Sequence, residues 1–170
     1  MLYGYMASNS IYEIGNVSDT SKFKPQDAKY NNSWIEFWTS QVGMNKPQYC
    51  CVVDCQHDKP VKSDDIVGGH VYLSSELSKV VEADLESFCT YPSRRAFNGF
   101  SYKNGYWFKL YGNLFIMMRC GDKLVKTKGG NLVCIAPICN SCNQRDDKFL
   151  LNNGTVLVPL YWSDQKEIEQ

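Results

Sequence analysis

Eight cysteines fall in a chain of 170 residues, and their spacing is the first feature that points to chemistry. Cys51-Val-Val-Asp-Cys55 and Cys139-Asn-Ser-Cys142 each hold two thiols on one short loop. Loops this short let two thiolates reach the same tetrahedral ion at about 2.3 Å, the zinc–sulfur distance. The expected ligands of one structural Zn2+ are therefore Cys51, Cys55, Cys139 and Cys142. Cys50 competes with Cys51, because it also lies close enough to Cys55 to share an ion with it. His57 can replace a thiol or sit in a surface turn. Disulfides are the rival use of an even cysteine count, and the redox compartment decides between them. Cys89, Cys120 and Cys134 lie in apolar settings (Ser-Phe-Cys89, Met-Arg-Cys120, Val-Cys134-Ile) and read as buried free thiols of the core.

A zinc ion joining two distant segments contributes on the order of 10 kcal/mol of folding free energy in small domains. A chain of this length also builds a core of its own, so metal removal is expected to loosen the fold rather than abolish it. The start, MLYGYMASNS, has neither the basic residues nor the apolar run of a signal peptide, and no stretch approaches the ~18 apolar residues of a membrane span. A cytoplasmic protein with no membrane partner is the expectation. Eighteen basic residues balance eighteen acidic ones, which disfavours an indiscriminate nucleic-acid binder. A local basic surface is still open to residues 94–128. Arg94, Arg95, Lys103, Lys109, Arg119, Lys123, Lys126 and Lys128 lie there with Asp122 the only acid, although such a scatter more often forms a solvated surface. No phosphate-binding glycine loop, nucleotide fingerprint or serine–histidine elbow occurs.

Several elements must position these groups. Ser33 followed by Glu36 is a capping-box signature, and Trp34, Ile35, Phe37 and Trp38 give an apolar side, so a helix is predicted over about 34–43, ended by Gly43. Ile66 to Leu73 reads as a strand carrying His70. Leu77, Val80, Val81, Leu85 and Phe88 recur at helical spacing behind Ser74, which predicts a helix over about 75–88. Aromatic residues between turn signals over about 97–127 read as a meander of short antiparallel strands. Further strands are expected at about 132–136 and at Val156-Leu157-Val158. The economical organisation is a single α+β domain over 1–170, with a zinc core at about 48–75 and 130–158 and an insertion at about 76–129.

The order Cys-x3-Cys, Gly68-Gly69-His70-Val71, then Ile135-Ala136-Pro137-Ile138-Cys139-x2-Cys142-Asn143 resembles the zinc-containing branch of the HNH endonucleases. It also looks like a bacterial group of HNH-like zinc proteins. The resemblance implies a treble-clef zinc core: a knuckle, a β-hairpin and a helix around one ion. It further implies that His70 matches the general base that activates water. Asn143 matches a position that helps hold a second metal, Mg2+ or Mn2+, at the scissile phosphate, and Asn131 falls near the family's central asparagine. Gly69 departs from the pattern, because nuclease members carry there an acidic metal ligand. Asp64, Asp65, Asp146 or Asp147 would have to supply that carboxylate.

Two functions follow as expectations. The first is a zinc-stabilised, catalytically silent HNH-like module that binds a protein or nucleic-acid partner, its exposed aromatics serving as anchors or stacking surfaces. The second is a metal-dependent endonuclease with His70 as general base. A small phage or bacterial factor that acts by occupying another protein leaves no motif by which to judge it.

Overall fold

The computed structural model describes residues 12–55 and 65–168; His57 and Asp64 lie outside the described residues. Nine strands and two α-helices run in the order β1 (Ile14–Asn16), β2 (Phe23–Pro25), α1 (Trp34–Val42), β3 (Ile66–Leu73), α2 (Ser75–Thr90), β4 (Ser101–Lys103), β5 (Tyr106–Tyr111), β6 (Leu114–Met118), β7 (Val133–Cys139), β8 (Val156–Pro159) and β9 (Gln165–Glu167). Seven of the strands form one sheet in the order β1-β3-β7-β8-β6-β5-β4, and β2 pairs with β9 in a separate ribbon. All pairings are antiparallel except β6 with β8.

The sheet is built around β7, whose seven residues are all buried. A run such as Val-Cys-Ile-Ala-Pro-Ile-Cys has no polar side to turn to water, so it takes a central position rather than an edge. It pairs with β3 along seven residues, from Ile66 opposite Cys139 to Tyr72 opposite Val133. Helix α1 forms for the reasons its sequence carries. The Ser33 side chain accepts the Glu36 N–H, Gly43 closes the helix in a left-handed conformation (φ 67°), and Trp34, Ile35, Phe37, Trp38 and Val42 are buried. The helix rests on β3 at Gly68, where a Cβ would lie 2.4 Å from the Trp34 carbonyl carbon and 2.6 Å from the Ile35 nitrogen. The Trp38 indole N–H donates to the Val156 carbonyl at 2.9 Å, which ties the helix to β8 as well.

Helix α2 is two residues longer at its C-terminus than its apolar spacing marks, and is capped by Ser74, whose side chain accepts the Leu77 N–H. Ser78, buried in its first turns, donates to the Leu73 carbonyl and accepts the Leu132 N–H. The meander appears as β4, β5 and β6, joined through tight turns with Asn104 (φ 54°) and Gly112 (φ 61°) in left-handed conformations. Because β6 lies alongside β8, the segment expected as an insertion continues the same sheet that carries the cysteines.

The structure shows a mixed α+β architecture with a mostly antiparallel sheet. After the second cysteine pair the chain makes one 3-10 turn, Cys142–Gln144, and proceeds to β8. The helix that a treble clef places at its second ligand pair has no counterpart there. The physical reason lies in the residues that follow: Arg145-Asp146-Asp147-Lys148 offers no apolar stripe for a helix to bury.

Candidate metal centre

Two loops bring the thiols together. Pro137, near the end of β7, accepts a hydrogen bond from the Cys51 N–H at 3.2 Å, and the Cys51 carbonyl accepts the Asn152 N–H at 2.7 Å. Val52 forms a β-bridge with Leu151. These bonds lay residues 50–52 against the end of β7, and Cys55 turns back with its N–H on the Val52 carbonyl. The second loop follows directly from β7, with Cys139 as its last residue and Cys142 opening the 3-10 turn.

The sulfurs of Cys50, Cys55, Cys139 and Cys142 all lie within 4.8 Å of one another. A tetrahedron of sulfurs at the zinc–sulfur distance of about 2.3 Å has edges of about 3.8 Å. The Cys55–Cys139 sulfur separation is 3.7 Å, far beyond a disulfide bond and close to that edge. The donor set and its geometry therefore fit a structural ion such as Zn2+. Backbone N–H groups already point at the sulfurs: Cys139 N–H at Cys50 Sγ (3.3 Å) and Cys142 N–H at Cys139 Sγ (3.4 Å). Such bonds favour the thiolate form that a metal requires.

Cys51, expected as a ligand from spacing, is replaced in the cluster by Cys50. Cys50 is the one that faces Cys139, whose N–H donates to its sulfur. The hydrogen bonds that anchor the Cys51 backbone turn residue 50 inward. The resulting Cys50–Cys55 spacing still falls within the two-to-four range of zinc loops.

Burial, together with neighbouring thiols, pushes the Cys50 thiol up to about 11, and burial also raises Cys142. Neither ionises readily beside other sulfurs unless a positive charge compensates. A second layer braces the loops. Arg145 pairs with Asp54, next to Cys55, at 2.7 Å and with Asp147 at 2.6 Å, clamping one ligand loop to the other. Those carboxylates hold the guanidinium in its charged form. Asn16 donates to the carbonyls of Cys142 (2.7 Å) and Arg145 (3.0 Å). Neither Arg145 nor Asn16 stood out in the sequence, because both act from outside the cysteine motif.

The remaining cysteines divide. Cys134 is a fully buried free thiol of the core, as its setting suggested. Cys89 and Cys120 are joined in a disulfide with Cα atoms 5.7 Å apart, which corrects the reading of both as free core thiols. The end of α2 and the chain just after β6 converge there, and Cys120 is exposed rather than buried.

His70 and Asn143 line one cleft of about 460 Å3 with Lys24, Ser33 and Trp34. His70 projects from one face of β3, and Asn143, in the 3-10 turn, packs against the other. His70 shares the face of Gly68 and meets the Trp34 ring edge-on at 4.9 Å, whereas Asn143 Oδ1 lies 2.6 Å from where a Gly69 Cβ would be. Any side chain at position 69, a carboxylate included, would collide with Asn143 and Ile138. His70 is only 6% exposed, and its Nε2 has no hydrogen-bond partner. Burial, with a smaller contribution from the Lys24 charge, lowers its pKa to about 4. Among the described residues, no carboxylate lines the cleft. Asp147 is engaged by Arg145, and the Asp65 backbone carbonyl accepts the Asn140 N–H. Asn131 serves the fold, its side-chain amide donating to the Leu73 carbonyl at 2.7 Å.

The basic residues of 94–128 resolve largely into internal partnerships. Lys109 pairs with Asp84, Arg119 with Asp164 and Lys126 with Glu82. Arg95 donates to the Phe88 carbonyl and stacks over the Phe88 ring. Among the described residues no helix is long and apolar enough to cross a membrane. No family model matches the chain, and neither the curated proteins nor the solved structures yield a match.

Proposed function

We propose that this chain is a zinc-organised binding module, HNH-like in the order of its motifs and catalytically silent, that engages a protein or nucleic-acid partner. The observation that carries the reading is the tetrad of Cys50, Cys55, Cys139 and Cys142 with sulfurs inside 4.8 Å. Zinc there joins residues 50–55 to the end of β7 and supplies folding energy, not reactivity, since four sulfur ligands leave no open coordination position. What favours silence is the cleft around His70. A phosphate-bound Mg2+ or Mn2+ needs oxygen ligands, normally at least one carboxylate, and none of the described residues brings one to this cleft.

The endonuclease reading has one observation in its favour, the presence of His70 and Asn143 on the same cleft. It requires plasmid nicking with Mg2+ or Mn2+ that disappears in His70→Ala. Native mass spectrometry of protein purified without added zinc tests the primary reading. One zinc per chain is expected, lost in Cys50→Ser and Cys139→Ser and retained in Cys51→Ser. A chain without zinc overturns the proposal. Metal-dependent nicking abolished by His70→Ala would replace silence with catalysis.

A further inference from the structure

We propose that the cleft between α1, β2 and β3 is an oxyanion site that takes a phosphate group at the α1 N-terminus, beside Lys24 and His70. The inference deepens the binding-module reading by naming the chemistry of what is bound. Three independent features converge on it. Helix α1 has nine residues, and its first turn opens on the cleft through Ser33, Trp34 and Ile35. Ser33 Oγ takes only the Glu36 N–H. The Trp34 and Ile35 amides have no hydrogen-bond acceptor among the described residues, so the positive end of the helix is available to an anion.

The second feature is His70. It lines the same cleft, is more than nine-tenths buried and leaves Nε2 unpartnered. A buried nitrogen without a partner is costly, and a ligand oxygen relieves that cost. The third feature is the composition of the walls. Lys24 forms no ion pair with any described residue, and the other polar groups that the described residues place on the cleft are hydroxyls and amides, with no carboxylate among them. Glu36, the acid of the first helical turn, is exposed and does not line the cleft. Gly68 allows the arrangement, because any larger residue would push the helix end away from the strand.

The test is an amide- and imidazole-detected NMR titration of the full chain with inorganic phosphate and, separately, with a 5′-phosphorylated dinucleotide. Saturable shifts at the Trp34 and Ile35 amides and the His70 ring are expected. Lys24→Gln should weaken binding about tenfold, in line with loss of one charge-assisted contact, and Lys24→Arg should retain it. Lys22→Gln, which removes a lysine already paired with Glu167, should leave affinity unchanged. A dinucleotide at least tenfold tighter than phosphate at the same amides assigns the group to a nucleotide chain, and equal affinity assigns it to free phosphate. Absence of saturable shifts with both probes overturns the inference, as does equal weakening by Lys22→Gln and Lys24→Gln. Zinc is quantified in the same samples: zinc-loaded protein that ignores both probes removes this site and leaves the binding-module reading standing.

Discussion

A single residue decides the chemistry of the cleft through what it lacks. Gly69 stands where a nuclease of the resembling family carries its metal-binding acid, and the space its side chain would need is held by Asn143 and Ile138. His70, on the other face, is buried without a partner for Nε2. Its pKa, lowered chiefly by burial to about 4, makes stability depend on pH in a stated direction. The unfolded chain binds a proton at this residue below its ordinary pKa near 6.5, whereas the folded chain resists until about 4. Stability from this residue is therefore complete above the unfolded pKa and declines as pH falls from 6.5 to 4. The full difference amounts to roughly 3 kcal/mol. Urea unfolding at pH 7.0 and 5.0, in wild type and His70→Gln, isolates it, since metal release at low pH affects both proteins alike. A wild-type slope no steeper than that of the variant would contradict the burial.

Among the elements, α1 and β3 depend on each other at Gly68, where their backbones meet. Trp34, Phe37 and Trp38 supply apolar area, and Gly68 supplies the approach that lets the helix backbone touch the strand. The contact at Gly68 is with backbone, not with the end of a flexible side chain, so it cannot yield by a rotamer change. Gly68→Ala is expected to lower stability by about 1–3 kcal/mol, read as a lower urea midpoint with zinc content preserved. If the midpoint is unchanged, the helix does not rest on the strand in this way. The helix and strand bounds themselves were legible, because cap residues and periodicity are local signals: Ser33, Gly43 and the run Ile66–Leu73 stand where the sequence puts them. The end of β7 was less so. A strand predicted over about 132–136 runs to Cys139, since pairing with β3 carries it through Pro137.

At the scale of the whole molecule, a disulfide and a cluster of thiols positioned for a metal lie at two separate places. Cys89–Cys120 joins residues 31 positions apart and closes a loop that contains the meander β4–β6. In the chain-entropy account a loop of that size stabilises by about 3–4 kcal/mol. Peptide mapping without reduction should recover Cys89 joined to Cys120 and the other six cysteines as thiols, and Cys89→Ala/Cys120→Ala should lower the melting temperature. Recovery of eight free thiols would remove the cross-link. Chelation is expected to act elsewhere, raising amide exchange in residues 50–55 and 139–152 while leaving α2 and β4–β6 protected. Uniform loss of protection would mean that the metal organises the entire fold.

The sequence by itself determined that two cysteine loops could share an ion, where both helices begin, and that an aromatic-rich stretch forms a meander. Each of these follows from residues within a few positions of one another. Tertiary structure alone decided which of Cys50 and Cys51 faces Cys139, because that choice is made by Pro137 and Asn152 holding the Cys51 backbone. It alone joined Cys89 to Cys120 and set Asn143, from its 3-10 turn, against the face of β3 opposite to His70. Those outcomes depend on contacts between segments far apart in the chain, and spacing carries no information about which way a neighbouring side chain turns until the partner strand is in place.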